Sequence, residues 1–179
     1  MTTAGVPIEF VSVKGFTPHW CAVRLVTINL GANDGFLFEE QCNYDPTCIE
    51  NGAPQLFATV AANMQTILAV LRSTGYQGPI IVANCYSLDY SDTCITELTA
   101  GLNQAITSSA STYGAKVADV FSAFQAVVAN QFALGHTCVA GLLNNSNPAT
   151  NPPQCDVHPS QSGHKLMDQV IAGVFRPRD

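Results

Sequence analysis

Two short polar motifs, far apart in the chain, carry the residue types that acyl transfer requires. The sequence Gly-Ala-Asn-Asp at 31–34 follows an apolar segment, and Asp-Val-His-Pro at 156–159 precedes the last amphipathic stretch. Acyl transfer needs an imidazole base, an acid that fixes the imidazole tautomer, and donors where negative charge develops on the oxyanion. His158 suits the first role, Asp156 the second and the side-chain amide of Asn33 the third.

Each motif alone also has a purely structural interpretation. Gly-Ala-Asn-Asp is a common turn composition, and a single loop histidine is usually an ordinary surface residue. Position favours chemistry, because parallel sheets place their sites beyond the carboxyl ends of strands. We therefore assign His158, Asp156 and Asn33 to catalysis and Gly31 and Asp34 to substrate binding, and interpret Tyr86 as a packing or surface residue.

Hydrophobic periodicity predicts the elements that must position these residues. Short apolar or β-branched runs predict strands, and apolar residues at helical intervals predict amphipathic helices. The predicted strands are 23–30, 80–84 and 116–120, with a further candidate at 8–13. Four helices are predicted: one from Pro54 to Gly75, one from 95 to near Gly114, one over 121–133 and one over 162–175. The intervening segments 31–53 and 135–160 are predicted to be irregular loops.

Strands that alternate with long helices imply right-handed crossovers and a parallel sheet covered on both faces. We expect an α/β fold formed by a single domain over residues 1–179, with an atypical N-terminal part at 1–22. A sheet of three or four strands is small for a chain of 179 residues, so an element is expected to be missing.

Composition excludes several classes of partner. Only 11% of the residues are charged and the net charge is -6, which argues against nucleic acid and anionic membrane surfaces. No apolar run approaches the roughly eighteen residues that span a bilayer, so no transmembrane segment is expected. The N-terminus lacks the basic and apolar regions of a signal peptide.

Seven cysteines indicate an oxidising compartment. Three pairs flank loops and could each close a local disulfide: Cys42 with Cys48, Cys85 with Cys94, and Cys138 with Cys155. We expect a secreted protein whose N-terminus is lost or misread, with Cys21 left over. The alternative is a cytosolic protein with seven buried thiols.

Zinc binding is the competing chemistry. His136 with Cys138, and Cys155 with His158, supply imidazole and thiolate in closely spaced pairs that suit this metal. Pairing of Cys138 with Cys155 would consume both thiols, so we expect no metal.

The two polar motifs together resemble two of the four signature blocks of the SGNH/GDSL hydrolases, and Ala-Asp-Val-Phe at 118–121 is similar to the exit of that family's last strand. The resemblance covers roughly 23–175. It implies a flavodoxin-like three-layer fold and an ester hydrolase that uses a serine acyl-enzyme and no cofactor. The implied small-molecule substrate is a lipid, a short acyl ester or an acetylated sugar.

The sequence departs from that family in two places. The Gly-Asp-Ser block with the nucleophile is absent, and Ser12, the only serine before Asn33, lacks the preceding Gly-Asp. We therefore expect the N-terminal strand and first helix to be missing or replaced. The family's acid lies three residues before the histidine, at Cys155 here, so either Asp156 or a backbone carbonyl orients His158. A non-catalytic module that binds an ester or glycan is the alternative function.

Overall fold

The computed structural model describes residues 23–130, 132–147, 149–150 and 154–175. Helices and strands follow one another in the order β1 (Val26–Ile28), α1 (Ala32–Gln41), α2 (Pro46–Ser73), β2 (Ile80–Ala83), α3 (Thr93–Thr112), β3 (Lys116–Ala118), α4 (Val120–Val128), β4 (Leu143–Asn147), β5 (Gln154–Pro159) and α5 (Gln161–Val174). The strand predicted at 8–13, Ser12 and Cys21 lie outside the described residues.

A parallel sheet in the order β1-β2-β3 forms the centre of the fold. Every residue of β2 is buried, and alternate side chains point to opposite faces. Ile80 and Val82 belong to the core on the side of α2 and α3, whereas Ile81 and Ala83 belong to the core on the side of α4 and α5. The predicted α/β fold with helices on both faces is confirmed.

Gly31 lets the chain leave β1 and pass close to the paired helices α2 and α3. Its φ is 111°, in the left-handed region that only glycine adopts without strain. A Cβ atom at this position would lie 3.2 Å from the Cδ1 atom of Ile106 and 3.6 Å from a methyl group of Val60. The motif at 31–34 therefore begins on the surface of the hydrophobic core.

The prediction of a loop over 31–53 was wrong. Residues Ala32–Gln41 form α1, and α2 begins at Pro46 instead of Pro54. Asp45 caps α2, because its side chain accepts a hydrogen bond of 2.8 Å from the backbone N–H of Cys48, and Pro46 follows it in the first turn, where proline is tolerated. Pro54 lies inside the helix, so the later proline was mistaken for the helix start.

The predicted loop over 135–160 contains an antiparallel pair of strands, β4 and β5, and was wrong in this part. Leu143 pairs with Pro159 and Asn145 with Cys155, with irregular register between them. Asn, Asp and Pro are depleted in strands, so propensity gave no signal. The disulfide between Cys138 and Cys155 ties β5 to the segment before β4.

Two of the three expected disulfides are present, Cys42–Cys48 and Cys138–Cys155. The third was wrong, because Cys85 and Cys94 are free thiols. Cys85 is buried in the core formed by the sheet with α2 and α3, whereas Cys94 packs against a separate cluster around Cys42. The two side chains therefore lie in different parts of the interior.

Helix α2 is, among the described residues, long and apolar enough to cross a membrane by length and composition. The sequence expectation that no segment meets this criterion was wrong in that respect. Val60, Met64 and Leu68 of α2 are nevertheless buried in the core that contains Leu102 and Ile106 of α3. These contacts place one face of α2 in the core.

Two buried asparagines fix the chain where it leaves β2. The Asn103 amide accepts a hydrogen bond of 2.8 Å from the N–H of Cys85 and donates one of 2.7 Å to the Cys85 carbonyl. The Asn84 amide donates to Asp119 and accepts from the N–H of Phe121, both at 2.9 Å. These bonds satisfy backbone groups that have left the sheet ladder.

Replacement of Asn103 by Ala tests this anchor. We expect Asn103→Ala to lower the free energy of unfolding by about 2–4 kcal/mol, because both backbone groups of Cys85 lose a buried partner. Urea denaturation measures the change. The control is Gln104→Ala, an exposed neighbour on the same helix, which should change stability by less than about 0.5 kcal/mol. Equal stability of the two variants would contradict the anchoring role.

Alkylation and peptide mapping test the cysteine assignment. Without reductant, we expect iodoacetamide to label the half-buried Cys94 in the folded protein and Cys85 only after denaturation, because burial raises the pKa of Cys85 to about 12. Cys42, Cys48, Cys138 and Cys155 should stay unlabelled. A disulfide-linked peptide that joins Cys85 to Cys94 would show that the assignment is incorrect.

Candidate active site

An open cavity of about 440 Å³ lies at the carboxyl edge of the parallel sheet. Asn33 from α1 and His158 from β5 both line it. Its other polar lining residues are Asn29, Asp34, Asn63 and His164, and its apolar lining includes Leu30, Val60, Met64, Ile67, Tyr86 and Met167. The structure thus brings together the two motifs that the sequence singled out.

The motif at 31–34 lines the cavity through four consecutive residues. Gly31 precedes α1 and is buried, and Asn33 and Asp34 lie in the first turn of that helix. The N-terminal turn of a helix carries unpaired backbone N–H groups and a partial positive charge. The Asn33 amide therefore lies beside other groups that favour negative charge.

His158 and Asp156 form a contact within β5. The Nδ1 atom of His158 lies 3.3 Å from Oδ1 of Asp156, which also accepts a hydrogen bond of 2.7 Å from the His158 backbone N–H. Residues two apart on a strand point to the same face, so this spacing brings the acid to the imidazole. With Nδ1 directed at Asp156, Nε2 is the nitrogen available as a base. The histidine side chain is 73% exposed, so its contact with Asp156 contributes little to stability.

Tyr86 positions the backbone between these two residues. Its hydroxyl donates a hydrogen bond of 2.6 Å to the carbonyl of Val157, and its ring stacks on Phe124 at 4.6 Å. Burial raises the pKa of Tyr86 to about 12, so the hydroxyl keeps its proton over the ordinary pH range. The interpretation of Tyr86 as only a packing or surface residue missed this contact with β5, for which the sequence offered no signal.

The start of α5 holds the end of β5 in place. Ser160 caps the helix, donates from its hydroxyl to the Gly141 carbonyl at 2.6 Å, and donates from its backbone N–H to the Leu142 carbonyl at 2.8 Å. A Cβ atom on Gly163 would overlap the Leu142 carbonyl oxygen, so glycine allows this close approach. His164, in the first turns of α5, also lines the cavity and was missed as a site residue.

A second histidine–carboxylate pair lies outside the cavity lining. The Nδ1 atom of His136 is 2.9 Å from Oδ2 of Asp89, and Ser91 donates to Oδ1 of Asp89 through its backbone N–H and its hydroxyl. Partial burial raises the pKa of Asp89, but the Ser91 hydrogen bonds and the nearby His136 outweigh it and lower the pKa overall. This pair joins two loops and gives a matched comparison for His158 and Asp156.

The zinc alternative is weakened by the cysteine chemistry. Cys138 and Cys155 are joined in a disulfide, so neither is available as a thiolate ligand. Across the described part of the chain, no three His, Cys, Asp or Glu side chains are grouped so that they could hold a metal ion.

Comparison with solved structures gives the same fold class. Phospholipase A1 from Streptomyces albidoflavus matches at a TM-score of 0.60 and 18% identity, over 86% of this chain and 70% of that one. A candidate GDSL-like lipase from Parabacteroides merdae and an alpha/beta hydrolase enzyme from the metagenome of Lake Arreo match at TM-scores of 0.52 and 0.50, each at 15% identity. Each of these two alignments covers 84% of this chain and 59% of the other protein, so the chain is shorter than both.

Sequence comparison identifies the family. No curated protein sequence is significantly similar to this chain. The sequence profile of the GDSL-like Lipase/Acylhydrolase family, however, matches residues 2–166, which is most of the chain. With the α/β fold described above, this match shows that the protein belongs to the GDSL-like lipase/acylhydrolase family.

Proposed function

We propose that this protein is a carboxylic-ester hydrolase that works through a serine acyl-enzyme, with His158 as the base, Asp156 as the acid that orients it, and Asn33 in the oxyanion hole. The observation that carries the proposal is that Asn33 and His158, remote along the chain, line one cavity at the carboxyl edge of the sheet. Family membership supports a hydrolase, and the contact between Asp156 and His158 supports the mechanism.

In the proposed reaction, Nε2 of His158 takes the proton of a serine hydroxyl as the serine oxygen attacks the ester carbonyl. The Asn33 amide and nearby backbone N–H groups stabilise the oxyanion that forms. His158 then gives the proton to the leaving alcohol, which departs and leaves an acyl-serine ester. Water, activated by the same histidine, releases the carboxylic acid and restores the serine.

No serine in the described part of the chain lines the cavity. Outside the described residues the sequence holds a single serine, Ser12, so the proposal requires Ser12 as the nucleophile although it lacks the preceding Gly-Asp. Cys85 lines it and is the obvious substitute. Burial, with a smaller contribution from Asp34, raises the pKa of Cys85 to about 12, which leaves it as an unreactive thiol at neutral pH. Cys85 therefore carries no thiolate at neutral pH, and we assign it no role as the nucleophile.

The walls of the cavity suit an ester with an apolar acyl part. Val60, Met64 and Ile67 form an apolar stripe along α2, while Asn33 and His158 supply the polar groups. A lipid, a short acyl ester or an acetylated sugar would each present this combination.

The two disulfides fit folding in an oxidising compartment, so we propose that the protein is secreted.

The second candidate function is a module that binds an ester or glycan without hydrolysing it. The lack of a serine among the described cavity residues favours it. The two candidates differ in whether purified protein turns over an ester and whether a serine reacts with a fluorophosphonate.

Hydrolysis of p-nitrophenyl butyrate tests the catalytic proposal. We expect measurable turnover by the wild type and a loss of at least about a hundredfold in kcat/KM for His158→Ala, because no base then activates the hydroxyl. The matched control is His136→Ala, which removes the histidine of the pair outside the cavity and should change kcat/KM less than about threefold. Fluorophosphonate labelling followed by peptide mapping should identify one serine.

Two results would contradict this assignment. A wild type with neither turnover nor labelling favours the binding module. Loss of activity in His136→Ala, with His158→Ala still active, would move the base to the pair formed by His136 and Asp89.

Replacement of Tyr86 by Phe tests the positioning of β5. The change removes the hydrogen bond to Val157 but keeps the ring, so we expect kcat to fall about three- to tenfold with KM nearly unchanged, because a typical hydrogen bond is worth about 1 kcal/mol. Steady-state kinetics on the same ester measures both constants. The control is Tyr113→Phe, just before the start of β3, which should behave as the wild type. Equal kinetics in the two variants would show that the hydroxyl does not position His158.

A further inference from the structure

A short turn after α4 presents two large apolar side chains to solvent. Phe132 is 80% exposed and Leu134 is 67% exposed, while Ala133 between them is buried. Leu134 also has a φ of 49°, in the left-handed region that residues with a side chain rarely adopt. We call Phe132 and Leu134 the apolar tip.

Hydrogen bonds hold the apolar tip in this conformation. Asn130 accepts bonds of 2.8 and 2.9 Å from the N–H groups of Phe132 and Ala133, and its amide donates to the Val127 carbonyl at 2.6 Å. The N–H of Gly135 bonds to the Val128 carbonyl at 3.0 Å. The apolar tip is therefore held exposed by a turn with several hydrogen bonds. The strained backbone of Leu134 within this turn is a sign of function.

The segment that follows the apolar tip packs against the loop that follows β2. Tyr90 donates its N–H to the Gly135 carbonyl at 2.9 Å, and the Thr137 hydroxyl donates to the Ser87 carbonyl at 2.7 Å. This loop directly continues from Cys85 and Tyr86, which line the cavity. The disulfide from Cys138 to Cys155 connects the same segment to β5, which carries His158.

The sequence around the apolar tip carries no charged residue. From Val120 to Cys155 it contains no Asp, Glu, Lys or Arg, and its only histidine, His136, pairs with Asp89. Val127 and Val139 add further exposed apolar surface within this segment. A region without cations, on a protein of net charge -6, has no attraction for anionic headgroups.

The small apolar area of the tip favours a lipid partner over a protein partner. A stable protein interface buries about 800 Å² on each partner, far more than two side chains provide. A lipid surface accepts individual apolar side chains, and the affinity grows with the apolar area inserted. Two isolated exposed apolar side chains on a GDSL-like lipase/acylhydrolase therefore fit a lipid surface better than a protein surface.

We propose that Phe132 and Leu134 insert into an uncharged or zwitterionic lipid surface and anchor the protein to it. The value of this contact for catalysis rests on the proposed ester hydrolase function, since it would deliver a lipid ester to Asn33 and His158. Binding itself needs no catalysis, so the two proposals can fail separately.

Co-sedimentation with phosphatidylcholine vesicles tests the proposal. We expect the wild type and His158→Ala to bind equally, and the double variant Phe132→Ser with Leu134→Ser to bind at least about tenfold more weakly, because two inserted side chains are lost. The matched control is Tyr44→Ser, which removes a side chain that is 69% exposed elsewhere on the surface and should leave binding unchanged. Hydrolysis of p-nitrophenyl butyrate in solution should be the same in the double variant and the wild type.

Phe132→Trp gives a second measurement that does not depend on the double variant folding. Compared with the wild type, whose one tryptophan is Trp20, the emission of this variant should shift further to the blue with vesicles, as expected for transfer of residue 132 into an apolar environment. The proposal would be overturned if the wild-type protein did not bind the vesicles, or if the double variant bound them as tightly as the wild type. So would sedimentation velocity that shows a wild-type dimer and a monomeric double variant. A wild type that binds vesicles but does not hydrolyse p-nitrophenyl butyrate would refute the hydrolase proposal alone.

Discussion

The hydrogen-bonded exit of β2 is the constraint on which the rest of the structure depends. Because β2 is buried on both faces, its backbone can leave the sheet only where other groups replace the lost ladder bonds. Asn103 does so for Cys85, and Asn84 joins the same point to the start of α4. Tyr86 follows at once, so the anchor also determines where the tyrosine meets the backbone of β5. Two buried amides and one tyrosine thereby join the exit of β2 to α3, to the start of α4 and to β5.

The elements with a continuous hydrophobic pattern could be predicted from the sequence. Strand β2 and the helices α3 and α5 were predicted within a few residues of their bounds, because burial of both faces of the strand and of one face of each helix dominates their composition. The segment that became α1 contains glycine and follows a turn motif, so local chemistry pointed to a loop. The pair of β4 and β5 is rich in Asn and depends on a disulfide and on pairing between strands. Such long-range contacts leave little trace in local sequence.

The candidate site shows the same division. Asn33 and His158 were identified because each lies in a short motif whose residue types have a chemical meaning, and both line one cavity. Their roles in catalysis stay predictions. His164 lies in the first turns of an amphipathic helix, after its cap serine. Nothing in the sequence distinguished it there from an ordinary surface residue. Tyr86 acts through a contact with the carbonyl of Val157, a group that carries no sequence information.

The covalent link between Cys138 and Cys155 has a practical consequence for producing the protein. It closes a loop with a sequence separation of 17, and in the chain-entropy account a loop of this size contributes about 3 kcal/mol of stability. Because β4 and β5 have little apolar surface, that amount is a large share of what holds them together. Recombinant expression in a reducing bacterial cytosol would therefore yield material with a frayed hairpin and a displaced imidazole. Export to the periplasm, or a host with an oxidative folding pathway, is the appropriate route to a sample for biochemical work.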